Sequence, residues 1–107
     1  MYIRGLDLTL AKEFAKAVSV FQQVIERDPK YMDAYHGLSM TWMQMGNLNE
    51  AIAVEQKALE VNPDEILSQS NLSVFYQKKG MVKEAEAAKG QATVLQWRKE
   101  AKDKKKA

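Results

Sequence analysis

The sequence of 107 residues contains no cysteine, which excludes disulfide bonds and thiolate metal sites. It contains one histidine, too few for a histidine-based metal site or for shared imidazole acid–base chemistry. The five glycines stand singly, so no glycine-rich phosphate loop is present. No apolar run approaches the roughly 20 residues that cross a bilayer. We therefore expect no enzyme activity, catalytic residue, cofactor, metal site, small-molecule substrate or membrane span.

Composition and charge are those of an ordinary globular protein, with 46% apolar and 28% charged residues in a length that suits one domain. The N-terminal residues lack the pattern of a secretion signal, so we expect a cytoplasmic protein. The net charge of +2 conceals an uneven distribution. Residues 98–107 hold six basic and two acidic side chains, whereas the remainder holds ten basic and twelve acidic. A basic, frayed tail is predicted over residues 103–107.

Several apolar residues, small residues and glycines recur along the sequence at intervals of 34 residues. The stretch from Leu38 to Pro63 shows the pattern most fully, with Trp42 and Gly46 at its centre. One period later stand Leu72, Tyr76, Gly80, Val82, Ala85 and Ala92, and one period earlier Gly5, Leu8, Phe14, Ala17, Ile25 and Pro29. A fixed period of this length is typical of stacked units that each bury an apolar face against the next.

Apolar spacing within the period predicts six helices, over residues 1–11, 14–28, 32–45, 48–61, about 64–79 and 81–102. Pro29 and Pro63 stop the second and fourth helices, and Trp97 occupies the place of a third proline. Lys12 stands where the later units have glycine. Three possibilities remain open there: a left-handed lysine at some energetic cost, a turn of another kind, or one helix running through Lys12.

These residues resemble the tetratricopeptide repeat, a helix–turn–helix unit of 34 residues. The middle unit carries the pattern as Tyr35, Leu38, Ser39, Trp42, Gly46, Leu48, Ala51, Ala58 and Pro63. The resemblance implies an all-α, right-handed superhelix of three repeats (about 1–31, 32–65 and 66–99) in a domain over residues 1–102, its sixth helix extended as a cap. It also implies a non-catalytic module that binds other proteins.

In the family, the first helix of each repeat lines a concave groove. By analogy the groove residues here are Tyr2, Leu6, Thr9, Asp33, His36, Met40, Met43, Gln44, Leu67, Ser70, Val74, Gln77 and Lys78. This set is more apolar than a solvated face, which favours an adaptor that holds an apolar or helical segment of a partner. Two alternatives stay open: these residues only pack the first helices together, or the repeats assemble copies of the chain into homo-oligomers.

Two further activities of similar sequences are not expected here. Some family members bind a C-terminal carboxylate with cationic groove residues, but the corresponding positions hold Tyr2, Leu6, Gly37, Leu67 and Asn71, none of them a cation. A basic tail attracts nucleic acid or anionic lipid through phosphate contacts. This one carries acidic residues and a single neighbouring aromatic side chain, so we expect a solubilising cap and no nucleic-acid partner.

Overall fold

The computed structural model describes residues 1–106, and the side chains of residues 1–104. Within that range the chain forms six α-helices and no strand: α1 (Tyr2–Leu10), α2 (Phe14–Arg27), α3 (Met32–Gln44), α4 (Leu48–Val61), α5 (Ile66–Lys78) and α6 (Val82–Lys106). The predicted all-α architecture of six helices is confirmed. None of these helices is both long enough and apolar enough to cross a bilayer.

Each pair of helices is joined by a turn that contains one residue with left-handed backbone. The φ angles are 61° at Lys12, 83° at Gly46 and 78° at Gly80. The chain therefore turns at Lys12 instead of continuing as one helix. A lysine in this conformation costs roughly 1–2 kcal/mol, because its Cβ approaches the following carbonyl oxygen, whereas glycine has no Cβ.

The helices form two layers, and the way they pack shows which layer is concave. Each helix packs against its neighbours in sequence, and α1 also approaches α3, as α3 approaches α5. The second helices of the pairs do not approach one another within the described residues. Because the first helices are close while the second helices are splayed, the stack curves toward α1, α3 and α5. We call the surface of these three helices the inner face.

The interior consists of two apolar clusters. The first core cluster contains Ala17, Val18, Phe21 and Leu38, and the second contains Ala51, Ile52, Leu72, Phe75 and Ala88. Trp42 is half-buried and packs against both clusters, so it lies between them. Small residues at the helix crossings, such as Ala51, are fully buried and allow the backbones to approach closely.

The sixth helix departs from prediction at both ends. Val82 recurs with the apolar residues of the repeat pattern, yet it is exposed, and the buried residues of α6 begin at Ala85. The helix continues to Lys106, past the predicted end near Lys102 and through most of the predicted frayed tail. Lysine and alanine are good helix formers, and no proline or glycine follows Gly90 to stop the helix. Ala107 lies outside the described residues.

Candidate functional site

At one position of the repeat, each of the three inner-face helices presents an exposed apolar side chain. Leu6 on α1, Met40 on α3 and Val74 on α5 stand one sequence period apart, and their exposed fractions are 36%, 38% and 47%. Equivalent positions on adjacent parallel helices fall side by side, so these residues form a row across the inner face, which we call the apolar stripe. Leu67, also exposed, extends the apolar surface on α5.

Polar side chains accompany the stripe on the same three helices. Asp33, Gln44, Gln77 and Lys78 are exposed, and Ser70 is half-buried. An apolar centre with polar surroundings is the usual anatomy of a protein-binding surface. The polarity also changes along the stack, because the position of Leu10 in the first repeat is occupied by Gln44 and then by Lys78 in the later ones.

Three of the predicted groove residues are engaged inside the structure. Met43 is half-buried and packs against the second core cluster. The Thr9 hydroxyl lies 2.9 Å from that of Thr41, linking α1 to α3. Tyr2 packs at a tilt against Phe21, with ring centroids 6.0 Å apart, and edge-on against Tyr31 at 5.6 Å. Each of these three residues therefore takes part in packing within the fold, and the Thr9–Thr41 contact joins two first helices.

His36, also predicted as a groove residue, is 8% exposed and belongs to a buried polar cluster. The centre of the cluster is Glu55 on α4, whose carboxylate is completely buried. It lies 3.0 Å from His36 Nδ1 and accepts hydrogen bonds from Ser39 Oγ at 2.5 Å, Ser68 Oγ at 2.9 Å and Asn71 Nδ2 at 2.7 Å. Glu55 therefore connects α3, α4 and α5 through one carboxylate.

The pKa values of the central pair follow from this geometry. Burial by itself would lower the pKa of His36, but hydrogen bonding and charge from Glu55, together with Glu65, raise it above its ordinary value. Burial would likewise raise the pKa of Glu55, but hydrogen bonds from His36, Ser39 and Asn71 outweigh it and hold that pKa below its ordinary value. Each shift favours the ionised form, so the pair is a buried ion pair at slightly acidic pH.

The cluster occupies the place that an apolar group has in the preceding repeat. That group is Phe21 with the residues packed around it, and we call it the apolar socket. One period before Glu55 stands Phe21, which is also completely buried. A Cβ added at Gly5 or Gly37 would lie within 2.7 Å of the Phe21 ring, so these glycines make room for it. The corresponding residues one period later are the donors Ser39 and Asn71. At this position the first repeat thus has an aromatic ring packed against two glycines. The second repeat has a carboxylate that accepts hydrogen bonds from Ser39 and Asn71.

The remaining members of the two sockets also correspond. His36 stands one period after Tyr2. Tyr2 packs against Phe21 and Tyr31, and His36 lies beside the residues at the corresponding positions, Glu55 and Glu65. His36 Nε2 is buried, has no hydrogen-bond partner among the side chains of residues 1–104, and lies 3.5 Å from the Glu65 carboxylate. A modest movement of the Glu65 side chain would satisfy this nitrogen.

Glu55 was not among the residues predicted from the sequence. The repeats were compared by their apolar residues, and the position that holds Phe21 in the first repeat holds a charged residue in the second. The signal was available, since one period separates Phe21, Glu55 and Lys89. Asn71, one of the positions compared with the carboxylate-binding set, is committed to Glu55, and Gly37 is covered by Phe21. This geometry gives no support to carboxylate recognition at those positions.

The sequence was compared with models of known protein families. The model of the tetratricopeptide repeat matches residues 8–70, which is more than half of the chain. No curated protein matches the sequence.

Several solved structures share the fold. A crystal structure of MamA superposes with a TM-score of 0.85 at 26% identity, covering 94% of this chain and 58% of that one. The Yersinia enterocolitica type III secretion translocator chaperone SycD gives 0.78 at 21% identity, covering 88% of this chain and 65% of its own. The CopN–Scc3 complex contains a chain that gives 0.78 at 19% identity, with coverages of 88% and 55%. The present chain therefore spans between about half and two thirds of these structures.

Proposed function

The chain belongs to the tetratricopeptide repeat family, and on that premise we propose that it is a non-catalytic binding module that holds an apolar helical segment of a partner protein on its inner face. The observation that carries the proposal is the apolar stripe of Leu6, Met40 and Val74, one exposed apolar side chain at the same position of each repeat. Structures that share the fold include a translocator chaperone and a two-protein complex, which agrees with a role in binding.

The spacing of the stripe specifies the partner's pattern. Packed helices lie about 8–10 Å apart, so successive stripe residues are separated by about that distance. A partner helix rises about 10.5 Å over seven residues. A helix laid across α1, α3 and α5 with apolar residues at i, i+7 and i+14 would therefore present one side chain to each stripe residue. We expect this pattern in the bound segment.

The buried polar cluster is assigned a structural role. His36 and Glu55 are the groups best suited to acid–base chemistry, but they bond to each other and to helices α3 to α5. Glu55 is completely buried, so a substrate would have to open the interface between α4 and α5 to reach it.

The proposal is tested by recovering partners from native extract with three forms of the protein. Met40→Glu/Val74→Glu places two charges in the apolar stripe and should weaken binding roughly tenfold or more, because each carboxylate would be desolvated against apolar surface. Met43 is left unchanged since it packs against the core. The matched control is Val61→Glu/Val82→Glu, which adds the same charge at exposed valines on α4 and α6.

A partner retained by wild type and by the control but released by the stripe variant supports the proposal. A partner that all three forms retain overturns it. Circular dichroism of each variant separates loss of binding from loss of folding.

A second candidate function, self-assembly, has its own observation. Ile3 and Leu10 on α1 are 70% and 82% exposed and lie seven residues apart on one face. Ile3 is one period before Gly37, which packs under Phe21 of α2, so it points where a preceding second helix would pack. The opposite end is polar, since Glu86 and Lys89 of α6 stand where Ile52 and Glu55 of α4 meet α5.

If copies join, they should therefore join through α1 and not head to tail. Light scattering at about 100 μM, where Kd values in the micromolar range or tighter are detectable, should then show a dimer that Ile3→Glu/Leu10→Glu converts to a monomer. A monomeric wild type at this concentration removes this candidate and leaves the binding module unaffected.

A further inference from the structure

The face of α6 that packs against α5 changes from apolar to basic toward the C-terminus. Leu95 is the last buried residue on this face within residues 1–104. Arg98, Lys99 and Lys102 follow Leu95 at spacings of three, four and seven residues, which places them on the same face of the helix. The surface that packs against α5 therefore continues, beyond the apolar core, as a surface of three cations.

These three cations line a hollow of about 360 Å³ beside the start of α5. Ile66 and Leu95 form its apolar wall, and Asp64 is the one acidic residue among the described residues that line it. Three positive charges therefore surround a single negative charge. We call this site the basic hollow, and its lining residues are Asp64, Ile66, Leu95, Arg98, Lys99 and Lys102.

The cations of the basic hollow form no ion pair with any described side chain of residues 1–104. Two nearby carboxylates have other partners. Glu100 accepts a hydrogen bond from Gln96 Nε2 at 3.3 Å. Glu65, at the start of α5, lies 3.5 Å from His36 Nε2 and accepts a hydrogen bond from Asn62 Nδ2 at 3.4 Å. The positive charge of the basic hollow is therefore available to an anionic ligand.

The basic hollow adjoins the inner face. A second hollow, of about 440 Å³, shares Ile66 and Lys99 with it and is also lined by Leu67 and Ser70 of the inner face. Leu67 precedes Val74 of the apolar stripe by seven residues, which is about 10 Å along α5. A partner helix is about 10–12 Å wide, so one seated on Val74 covers about half of this distance, and long side chains bridge the rest.

We propose that the basic hollow binds acidic side chains of the partner segment held on the inner face, and thereby determines which end of that segment lies over α5. This role rests on the proposed function, because it requires a helical segment across the apolar stripe. Aspartate or glutamate within about one helical turn of the residue that contacts Val74 would meet Lys99 first, with Arg98 and Lys102 beyond it.

The charges of the neighbouring surface favour this arrangement. Asp33 on α3 stands one period before Leu67 and is exposed, so it disfavours acidic side chains near the middle of the segment. An acidic peptide is also favoured over nucleic acid. None of the described residues that line the basic hollow is aromatic, so the hollow offers no ring for base stacking.

The test uses the full chain and a display library of helical peptides about 20 residues long, with leucine fixed at i, i+7 and i+14. Selection on wild type should enrich aspartate and glutamate within about one turn of one terminal leucine. Selection on Arg98→Glu/Lys99→Glu/Lys102→Glu, the hollow variant, should enrich lysine and arginine at the same positions. The matched control, Lys30→Glu/Lys57→Glu/Lys83→Glu, changes net charge equally at exposed lysines elsewhere and should select the same acidic peptides as wild type.

Titration of the most enriched acidic peptide, followed by fluorescence anisotropy, measures the size of the effect. Each exposed ion pair contributes about twofold in affinity, so the hollow variant should bind this peptide roughly tenfold more weakly at about 0.1 M salt. Raising the salt to about 0.5 M should reduce the difference, because exposed charges are then screened. Circular dichroism of each variant separates loss of binding from loss of folding.

The outcomes separate the basic hollow from the proposed function. Peptides that bind wild type, are released by Met40→Glu/Val74→Glu and show no acidic preference would overturn the role of the basic hollow and leave the binding module unaffected. Retention of a single-stranded DNA of about 20 nucleotides by wild type but not by the hollow variant, again without an acidic preference among the peptides, would overturn it in favour of nucleic acid. Peptides that Met40→Glu/Val74→Glu retains, or a library that yields no binder, would overturn the proposed function and the role of the basic hollow together.

Discussion

The buried carboxylate of Glu55 makes a quantitative prediction, because the preceding repeat shows what an apolar side chain at the same position requires. Replacing Glu55 with phenylalanine removes the acceptor of His36, Ser39 and Asn71 and places a ring against side chains that the Phe21 socket lacks. Loss of one partner from a buried ion pair costs about 3–5 kcal/mol, and overpacking adds about 1–3 kcal/mol. A loss of about 4–8 kcal/mol would remove much of the roughly 5–15 kcal/mol that stabilises a domain of this size.

A second variant copies the apolar socket except for Tyr31, whose counterpart Glu65 is left unchanged. It combines Glu55→Phe with the residues that stand one period earlier, namely His36→Tyr, Ser39→Gly, Ser68→Ala and Asn71→Gly. Exchanging a complete buried ionic cluster for apolar residues of suitable shape is often neutral or stabilising by about 1–4 kcal/mol, while each new helical glycine costs about 0.5–1 kcal/mol. The socket-copy variant should therefore recover most of the stability that Glu55→Phe alone removes.

Urea unfolding followed by circular dichroism measures both effects. The control is Glu60→Phe on the exposed side of α4, which should change the free energy of unfolding by about 0.5 kcal/mol or less. A Glu55→Phe variant that unfolds at the same urea concentration as wild type would refute the role assigned to the carboxylate. A socket-copy variant no more stable than the single substitution would refute it equally.

Three further predictions concern pH and backbone. The raised pKa of His36 contributes stability that is complete below its ordinary value of 6.5 and is lost as pH rises, and the lowered pKa of Glu55 contributes stability that is complete above 4.5 and is lost as pH falls. For this pair, stability should be greatest between those values, and a flat urea midpoint from pH 4 to 8 would contradict it. Lys12→Gly should stabilise by about 1 kcal/mol and raise Tm by about 4–8 °C, since it relieves a left-handed lysine; an unchanged Tm in calorimetry would count against that strain. Gly37→Ala should destabilise by about 1–3 kcal/mol because its Cβ would meet the Phe21 ring, whereas Gly90→Ala, with open space around it, should stabilise by about 1 kcal/mol; the same sign for both in urea unfolding would contradict the packing described here.

The sequence was sufficient for the fold because the period of 34 constrains every helix at once. Trp42, Gly46 and Ala51 each have equivalents in another repeat, and the helix boundaries of α3 and α4 agree with prediction to within one residue. The end of α6 was misplaced because a high density of lysine indicates both a disordered tail and a helix of good propensity. Local composition does not decide between them.

The candidate site was less predictable, since the family pattern states which face a residue is on but not how deep it lies. His36 and Met40 occupy the same face of α3, yet one is buried against Glu55 and the other is exposed. The difference arises from α4 and α5, which bring Glu55 and Asn71 to the histidine. The burial of an inner-face residue thus depends on the side chains that the neighbouring helices place against it. To predict it, the whole group of contacting positions must be compared between repeats, because one position alone is not sufficient.

The use of the inner face can be measured directly through its methionines. The chain has six, and Met40 is the exposed one on the apolar stripe, whereas Met45 is exposed at the end of α3 and Met81 lies before α6. With methyl-labelled methionine, NMR spectra recorded during titration with a partner segment recovered from extract should show the largest shift at Met40. A largest shift at Met45 or Met81, with Met40 unmoved, would contradict the inner face as the binding surface.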